Sequence, residues 1–248
     1  MSREILVEVC VDAIDGAVAA EAGGAQRVEL CAALREGGLT PSAGTIAVTR
    51  RRLTVDVHVM IRPRGGDFLY SEAEFASMRR DVEMAKHLDV NGVVFGLLTP
   101  DGSVDMKQTE QLTEQARPMS ATFHRAFDMA RDPTRSLETL IELGIDRVLT
   151  SGHEAFASEG IDLLRELVAQ AGDRIVVMPG GGIDEQSLPR ILNTTGAREI
   201  HVTGTKGVES GMTYRNPRCF MGIEPGSSEF STTMTDVNRI RALVQLTQ

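Results

Sequence analysis

The chain has 248 residues, with 26 basic and 35 acidic side chains, a formal net charge of −9 and 42% hydrophobic residues. This composition is typical of a globular protein, and the negative charge argues against nonspecific binding to nucleic acid or to an anionic membrane. No apolar stretch approaches the roughly 20 residues of a membrane span and no leader follows Met1, so the sequence predicts a cytoplasmic protein.

Eight short runs rich in β-branched residues recur along the chain, and a segment of helical period separates each run from the next. The runs cover 5–11, 27–32, 56–61, 92–97, 120–126, 147–151, 175–178 and 199–203. Eight strand–helix units of about 31 residues predict a single-domain parallel (β/α)8 TIM barrel over residues 1–248. A doubly wound open sheet also alternates strands with helices and is the competing fold.

Helix boundaries carry recognisable capping signals. Ser71 followed by Glu74 matches a capping box, and Asp132 before Pro133 matches a capped helix start with proline at its first position. Gly144 is placed to end the second of these helices in the left-handed conformation. After the last strand, the sequence predicts a long connection over 206–235 that covers the C-terminal mouth, followed by a final helix at about 236–246.

Polar residues alternate with apolar ones along several predicted strands. Because strand side chains alternate between faces and helices cover the outside of a barrel, the polar set should point inward. Buried charges are costly unless they are paired, so this set indicates either a functional site or a stabilising salt-bridge network. The candidate catalytic residues on these inner faces are Glu8, Glu29, His58, His124 and His201.

His124 lies in the segment HRAFD at the end of the fifth predicted strand. Imidazole exchanges protons near neutral pH, so His124 is a candidate acid or base, oriented by Asp128 or by a glutamate. The alternative is that Arg125 and Asp128 simply pair with neighbouring strands. His153, after the sixth strand, is expected to be a solvated loop residue.

Two loop segments and two arginines suggest anion binding. Loops after the seventh and eighth strands of barrels often hold phosphate through backbone N–H groups, although three consecutive glycines also suit a tight turn. Guanidinium groups capture carboxylate or phosphate, and Arg215 is a further candidate from the long connection. The predicted anion-binding residues are Arg62, Arg64, Gly180, Gly181, Gly182 and Lys206.

The three cysteines lack any CxxC spacing, so a disulfide framework is not expected. Cys10 and Cys31 occupy similar positions on neighbouring predicted strands, and two thiolates with Met60 or a histidine would favour a soft ion such as Cu(I). The alternative is that both act as small buried hydrophobic residues. Cys219 is too isolated to be assigned a role.

Several motifs of the chain resemble those of the CutC copper homeostasis family, from about residue 5 to the final helix. They are EVCVD at 8–12, VELCA at 28–32, EGGLTPS at 36–42, MIRPRGGDF at 60–68, TFHRAFD at 122–128, RVLTSG at 147–152 and MPGGG at 178–182. The resemblance implies a cytoplasmic (β/α)8 barrel, a homo-oligomer and copper binding, with Cys10 and Cys31 as the family cysteines. Some bacterial members carry an extra cysteine where this chain has Val11.

Two hypotheses for the function follow. The first is a copper-binding homeostasis protein that uses Cys10 and Cys31, for which the resemblance argues. The second is a barrel enzyme that acts on a small anionic or phosphorylated metabolite by acid–base chemistry, for which the polar interior argues. In both cases the expected partner is a small molecule or a metal ion rather than nucleic acid or a membrane.

Overall fold

Eight parallel strands form a nearly closed barrel in the computed structural model, which describes residues 5–219 and 229–248. Neighbouring strands follow the order β7-β6-β5-β4-β3-β2-β1-β8, and a parallel bridge between Gly180 and His201 links the two ends. The predicted single-domain α/β barrel is confirmed. The strands are β1 (Leu6–Val11), β2 (Arg27–Leu30), β3 (Asp56–Met60), β4 (Gly92–Phe95), β5 (Ser120–Phe123), β6 (Arg147–Thr150), β7 (Val176–Pro179) and β8 (Glu199–Val202).

Helices follow the barrel strands and begin at the capping signals that the sequence shows. The Ser71 hydroxyl accepts from the Glu74 N–H at 3.2 Å, and the Glu74 carboxylate accepts from the Ser71 N–H at 2.8 Å, which completes the predicted capping box. The first seven helices are α1 (Ile14–Ala22), α2 (Ala43–Arg52), α3 (Glu72–His87), α4 (Met106–Ala116), α5 (Pro133–Glu142), α6 (Ile161–Ala171) and α7 (Leu188–Thr195).

The pleat of the strands separates two sets of side chains. Val7, Val9 and Val11 of β1 are buried in the large hydrophobic core. The residues between them point into the barrel, where Cys10 belongs to a separate cluster with Cys31, Met60 and Val94. The outward face therefore holds the helices on the barrel, and the inward face is left for polar chemistry.

The fifth strand ends three residues earlier than the sequence predicts. The prediction extended it over 120–126, but β5 ends at Phe123 and a 3-10 helix covers Arg125–Met129. The reason is a local side-chain cap, since Nδ1 of His124 accepts from the N–H of Ala126 at 3.1 Å and turns the chain. Residues 125–128 consequently lie on a turn at the mouth instead of on a strand.

The connection after β8 contains a β-hairpin that the sequence did not reveal. Its strands are β9 (Thr205–Glu209) and β10 (Ser231–Thr235), which pair antiparallel, and α8 (Val237–Gln245) follows them after the Asp236 cap. The β10 strand lies beside α1, where the Thr235 side chain approaches Gly16. Part of the predicted cover over the mouth, 220–228, lies outside the described residues. Over 5–219 and 229–248, every helix is too short or too polar to cross a bilayer.

Candidate functional site

Four charged side chains fill the interior at the N-terminal ends of the strands. Arg27 donates to Glu8 at 2.5 Å and also pairs with Glu199. Arg147 donates to Glu199 at 2.6 Å and to the hydroxyl of Thr122 at 3.2 Å. Two guanidinium groups thus meet two carboxylates, and we call this set, Glu8, Arg27, Arg147 and Glu199, the lower layer.

His58 lies against the lower layer without joining its hydrogen bonds. Its Nδ1 is 3.9 Å from the Glu8 carboxylate, and this buried nitrogen has no hydrogen-bond partner among the described residues. Burial lowers the pKa of His58 to about 3, against the attraction of Glu8. The imidazole is therefore neutral at physiological pH. The structure thus brings His58 close to Glu8, but His58 does not line the cavity described below.

Two cysteines, Glu29 and His201 form a second cluster above the lower layer. The sulfurs of Cys10 and Cys31 are 3.8 Å apart, and the Cys31 sulfur is 3.4 Å from a carboxylate oxygen of Glu29. His201 lies between the layers, with Nδ1 2.8 Å from Glu8 and Nε2 3.9 Å from Glu29. Because β1 and β2 pair with Cys10 opposite Glu29, the inward alternation brings Cys31 beside the same thiol. We call Cys10 and Cys31 the dithiol.

The surroundings of the dithiol favour a thiolate at Cys10. The hydrogen bond from Cys31 lowers the pKa of Cys10 to about 5, and His201 adds to this effect against the cost of burial. The same interaction raises the pKa of Cys31 well above its usual value. Burial opposes a charge on His201, but Glu29, Cys10 and Glu8 together outweigh it and raise the pKa of the imidazole.

The pKa values of Glu8 and Glu29 are shifted in opposite directions. Burial raises the pKa of Glu29 well above its usual value, and the charge on Cys10 raises it further. Burial also opposes the charge on Glu8, but Arg27 and His201 outweigh it and hold that pKa well below its usual value. Glu8 is therefore a fixed anion, whereas Glu29 can hold a proton.

A cavity of about 210 Å³ opens above the dithiol at the C-terminal mouth. A larger groove of about 600 Å³ at the opposite end, beside Gly172 and Arg174, holds none of the buried residues described above. The mouth is where barrel enzymes place their sites, so we treat the smaller cavity as the candidate site. Its polar lining comes from Cys10, Glu29, Arg62, His124, Arg125 and His201.

The two arginines of the RPRGGD segment have different surroundings. The guanidinium of Arg62 is buried, donates to the backbone carbonyls of Glu36 at 2.7 Å and Gly66 at 2.9 Å, and lines the cavity. The guanidinium of Arg64 donates to Glu74 at 2.6 Å and does not reach the cavity. Among the predicted anion-binding arginines, the structure therefore brings only Arg62 to the candidate site.

His124 lines the cavity, but Asp128 does not orient it. Asp128 instead accepts from Arg125 at 2.7 Å and from the Ser151 hydroxyl at 2.9 Å. The expectation that Asp128 or a glutamate positions His124 is wrong, because the Ala126 N–H and the Phe68 ring, 5.0 Å away, hold the imidazole. Burial lowers the pKa of His124 to about 3, and Arg62 lowers it further.

Arg125 is a cavity residue that sequence reasoning did not select. Its Nε is fixed by Asp128 at 2.7 Å and its Nη2 by Ser151 at 2.7 Å, so the guanidinium is oriented at the mouth. The TFHRAFD motif was the available signal. The motif indicated His124 as a candidate acid or base, and for Arg125 it suggested only pairing with neighbouring strands.

The remaining predicted anion-binding residues are not part of the cavity lining, although Gly180 and Gly181 lie next to the lining residues His201 and Arg125. Gly181 and Gly182 have φ angles of +108° and +68°, which suits a tight turn after β7, and Gly180 packs against Leu149. Lys206 forms an ion pair with Asp236 at 3.1 Å. None of these residues is part of the cavity lining, so their role in binding an anion stays a prediction.

Comparison with known proteins gives a consistent set of relatives. The model of the CutC family matches residues 5–206. The copper homeostasis protein cutC homolog of Homo sapiens is 50% identical over 238 residues, covering 96% of this chain and 87% of that protein. A family protein CutC of Parabacteroides distasonis is 51% identical over 241 residues, covering 96% of this chain and 99% of that protein.

Solved structures agree with these relatives. The putative copper homeostasis protein CutC from Streptococcus agalactiae is 34% identical with a TM-score of 0.76, covering 80% of this chain and 98% of that chain. Phosphoribosylanthranilate isomerase from Thermotoga maritima has a TM-score of 0.58 at 13% identity, covering 98% of each chain. At that identity the second likeness shows the barrel fold alone.

Proposed function

The chain belongs to the CutC copper homeostasis family, and we propose that it binds copper as Cu(I) through Cys10 and Cys31. The observation that carries this proposal is the dithiol itself, whose two buried sulfurs are 3.8 Å apart, with Cys10 in the lining of the cavity. The names of its relatives, which refer to copper homeostasis, support the same metal.

The donor chemistry of the dithiol fits Cu(I). Thiolate is a soft ligand that favours this ion over the harder divalent cations. Cys10 has a pKa of about 5 and is already ionised at neutral pH, while Cys31 must lose its proton when the metal binds. The Glu29 carboxylate has an oxygen within 4.8 Å of both sulfurs and is the third group of this cluster.

Cu(I) affinity measured by competition with a coloured Cu(I) chelator, without oxygen, tests the proposal. We expect Cys10→Ser combined with Cys31→Ser to weaken binding by about a hundredfold or more, because a hydroxyl is a poor ligand for a soft ion. The matched control is Cys219→Ser, which removes an exposed cysteine far from the cavity and should leave the affinity unchanged.

Circular dichroism and thermal unfolding of the same samples show whether weaker binding comes from the removal of the thiol ligands or from unfolding of the variant. If the double serine variant unfolds, the pair Cys10→Ala and Cys31→Ala gives a second route, because both side chains are buried and alanine introduces no hydroxyl. A folded double variant that keeps the affinity of the parent protein would exclude the dithiol as the copper site.

We propose, as a second function, that the cavity belongs to an enzyme that acts on a small anionic or phosphorylated metabolite. The observation in its favour is that Arg62 is buried beside the cavity without a carboxylate partner among the described residues. Acid–base chemistry would then use the groups that line the cavity, Glu29, His124 or His201, since Glu8 and His58 do not reach it.

Proton NMR of a metabolite extract incubated with the protein tests this second function. A substrate should disappear with the parent protein and persist with His201→Asn, which removes a titratable group next to Glu29. His87→Asn, on the exposed end of α3, is the matched control and should turn over the same metabolite. An extract that the parent protein leaves unchanged would contradict the proposal.

We propose, in line with the family resemblance, a homo-oligomer that acts in the cytoplasm. The three cysteines lack CxxC spacing and are free, which supports a reducing compartment. Light scattering on the purified protein tests the assembly, and a mass equal to one chain of 26.9 kDa would contradict it.

A further inference from the structure

The Arg62 guanidinium is a buried cation with no counter-ion in the part of the chain that the structure describes. Only 5% of the residue is exposed, and the acceptors of its Nη atoms are the backbone carbonyls of Glu36, Gly38 and Gly66. Its Nε has no hydrogen-bond partner among residues 5–219 and 229–248. A buried charge is costly unless an opposite charge lies beside it. An anion next to Arg62 would therefore offset this cost.

His124 adds a second donor without an acceptor. Its Nδ1 accepts from the Ala126 N–H at 3.1 Å, so the proton of the neutral ring sits on Nε2. That nitrogen is buried and has no partner within the described residues. Arg62 and His124 both line the same cavity, so two side chains that each carry a buried N–H without an acceptor border it.

The residue that follows β4 is Gly96, and the lack of a side chain there leaves space for the His124 ring. A Cβ at Gly96 would lie 2.5 Å from Nδ1 of His124, so only glycine leaves room for the imidazole. Phe68 packs on the ring at 5.0 Å between centroids and also contacts the Arg62 guanidinium at 5.1 Å. The Phe68 ring therefore contacts both His124 and Arg62.

Arg125 does not add a second uncompensated charge. Asp128 accepts from its Nε at 2.7 Å and is itself fixed by Thr150 and Ser151, so this guanidinium is neutralised where it stands. Of the two guanidinium groups in the cavity lining, that of Arg62 is therefore the one without a carboxylate among the described residues. The rest of the wall includes the apolar side chains of Met60, Phe68 and Leu149.

We infer that the cavity binds a small organic monocarboxylate, with its two oxygens on Arg62 and His124 and its apolar part against Met60, Phe68 and Leu149. A carboxylate supplies one negative charge and two acceptors, which are the groups that the two donors lack. The inference deepens the second function proposed above by naming the ligand class, and it rests on that function for the role of the cavity.

A phosphate monoester fits these observations less well. Arg125 is paired with Asp128 and His201 with Glu8, so the described lining offers no second unpaired cation to a phosphate group. A phosphate dianion would bring a second negative charge against the single unpaired guanidinium. Inorganic phosphate is therefore a discriminating competitor.

Ligand-observed NMR with butyrate, butyramide and inorganic phosphate tests the inference on the full chain. Butyrate should show saturable binding and should shift the His124 Nε2–H resonance in a spectrum of the ring nitrogens. Butyramide, which has the same size without the charge, and phosphate should bind at least about tenfold more weakly, as expected when a charged hydrogen bond is lost.

Two variants and a matched control locate the binding. Arg62→Lys and His124→Phe should each weaken butyrate binding about tenfold or more. If Arg62→Lys fails to fold, His124→Phe still tests the inference, because its phenyl ring keeps the contact with Phe68. Arg64→Lys makes the same substitution two residues away, outside the cavity, and should bind butyrate like the parent protein.

Three outcomes would overturn the inference. They are equal binding of butyramide and butyrate, equal losses in Arg64→Lys and Arg62→Lys, or no perturbation of His124 by butyrate. Failure of the enzymatic proposal is distinguishable, because butyrate binding is measured without turnover. Conversely, turnover of a phosphorylated metabolite by a protein that does not bind butyrate would keep that function and reject the ligand class.

Discussion

The two ends of the barrel interior use polar residues in opposite ways. In the lower layer, Arg27 and Arg147 meet Glu8 and Glu199, so each charge has an opposite charge within hydrogen-bond distance. At the mouth, the buried atoms left without partners include Nε of Arg62, Oε1 of Glu29 and Nε2 of His124. Both ends are buried in the same barrel, so burial alone does not explain the difference.

The contrast separates a structural use of charge from a functional one. A paired network contributes little net free energy but is costly to break, since removing one partner leaves the other charge buried and alone. Buried donors without a partner are rare, and they occur at sites where a ligand supplies the acceptor. Perturbed pKa values also cluster at functional sites. In this barrel the guanidinium groups show the two uses, since those of Arg27 and Arg147 meet carboxylates whereas that of Arg62 has none among the described residues.

Breaking the lower layer should give the largest effect on stability. Arg27→Met leaves Glu8 and Glu199 short of a partner, and we expect a loss of about 3–5 kcal/mol in the free energy of unfolding. Urea unfolding of the folded protein measures it. Arg174→Met breaks an exposed ion pair with Glu138 and should cost far less, because solvent screens that pair. Similar losses in the two variants would remove the distinction between paired interior charges and surface charges.

His124, which lies at the mouth, should contribute to the pH dependence of the free energy of unfolding. The pKa of His124 is lowered from 6.5 to about 3, so between these values the unfolded chain binds more protons than the folded one. Stability from this residue is therefore present above pH 6.5 and is lost as the pH falls toward 3. His124→Phe should reduce the stability difference between pH 7 and pH 5 by about 2 kcal/mol.

Chemical unfolding at the two pH values measures this change. His87→Phe, on the exposed end of α3, is the control for loss of a histidine outside the barrel interior. If His124→Phe keeps the full pH dependence of the parent protein, the imidazole is not held neutral in the folded state. That result would contradict the assignment of a neutral ring with its proton on Nε2.

The smallest expected effect concerns the coupling between the two thiols. The hydrogen bond from Cys31 is the largest cause of the low pKa of Cys10, so Cys31→Ala should raise that pKa from about 5 by one unit or more. One unit corresponds to about 1.4 kcal/mol. The ultraviolet absorbance of the thiolate, followed against pH in a Cys219→Ser background, measures it. An unchanged titration would show that His201 alone stabilises the thiolate.

Local sequence signals predicted the elements and the faces well. Ser71 and Asp132 mark helix starts, and the alternation of Val7, Glu8, Val9 and Cys10 assigns each side chain to the helices or to the interior. These signals act within a few residues, through capping hydrogen bonds and the period of the pleat. The end of β5 was missed because a single side-chain bond of His124 replaces the strand by a turn.

Strand–helix alternation and the two-residue period are properties of the local chain, and they were enough to predict the barrel and the inward face of its strands. The contacts among the inward-facing residues became visible in the folded barrel. Cys10 and Cys31 lie 3.8 Å apart, Arg27 satisfies Glu8, and Arg62 is left without a carboxylate. These outcomes depend on the register between strands distant in sequence, which sets the height of each side chain and therefore the partner of each charge.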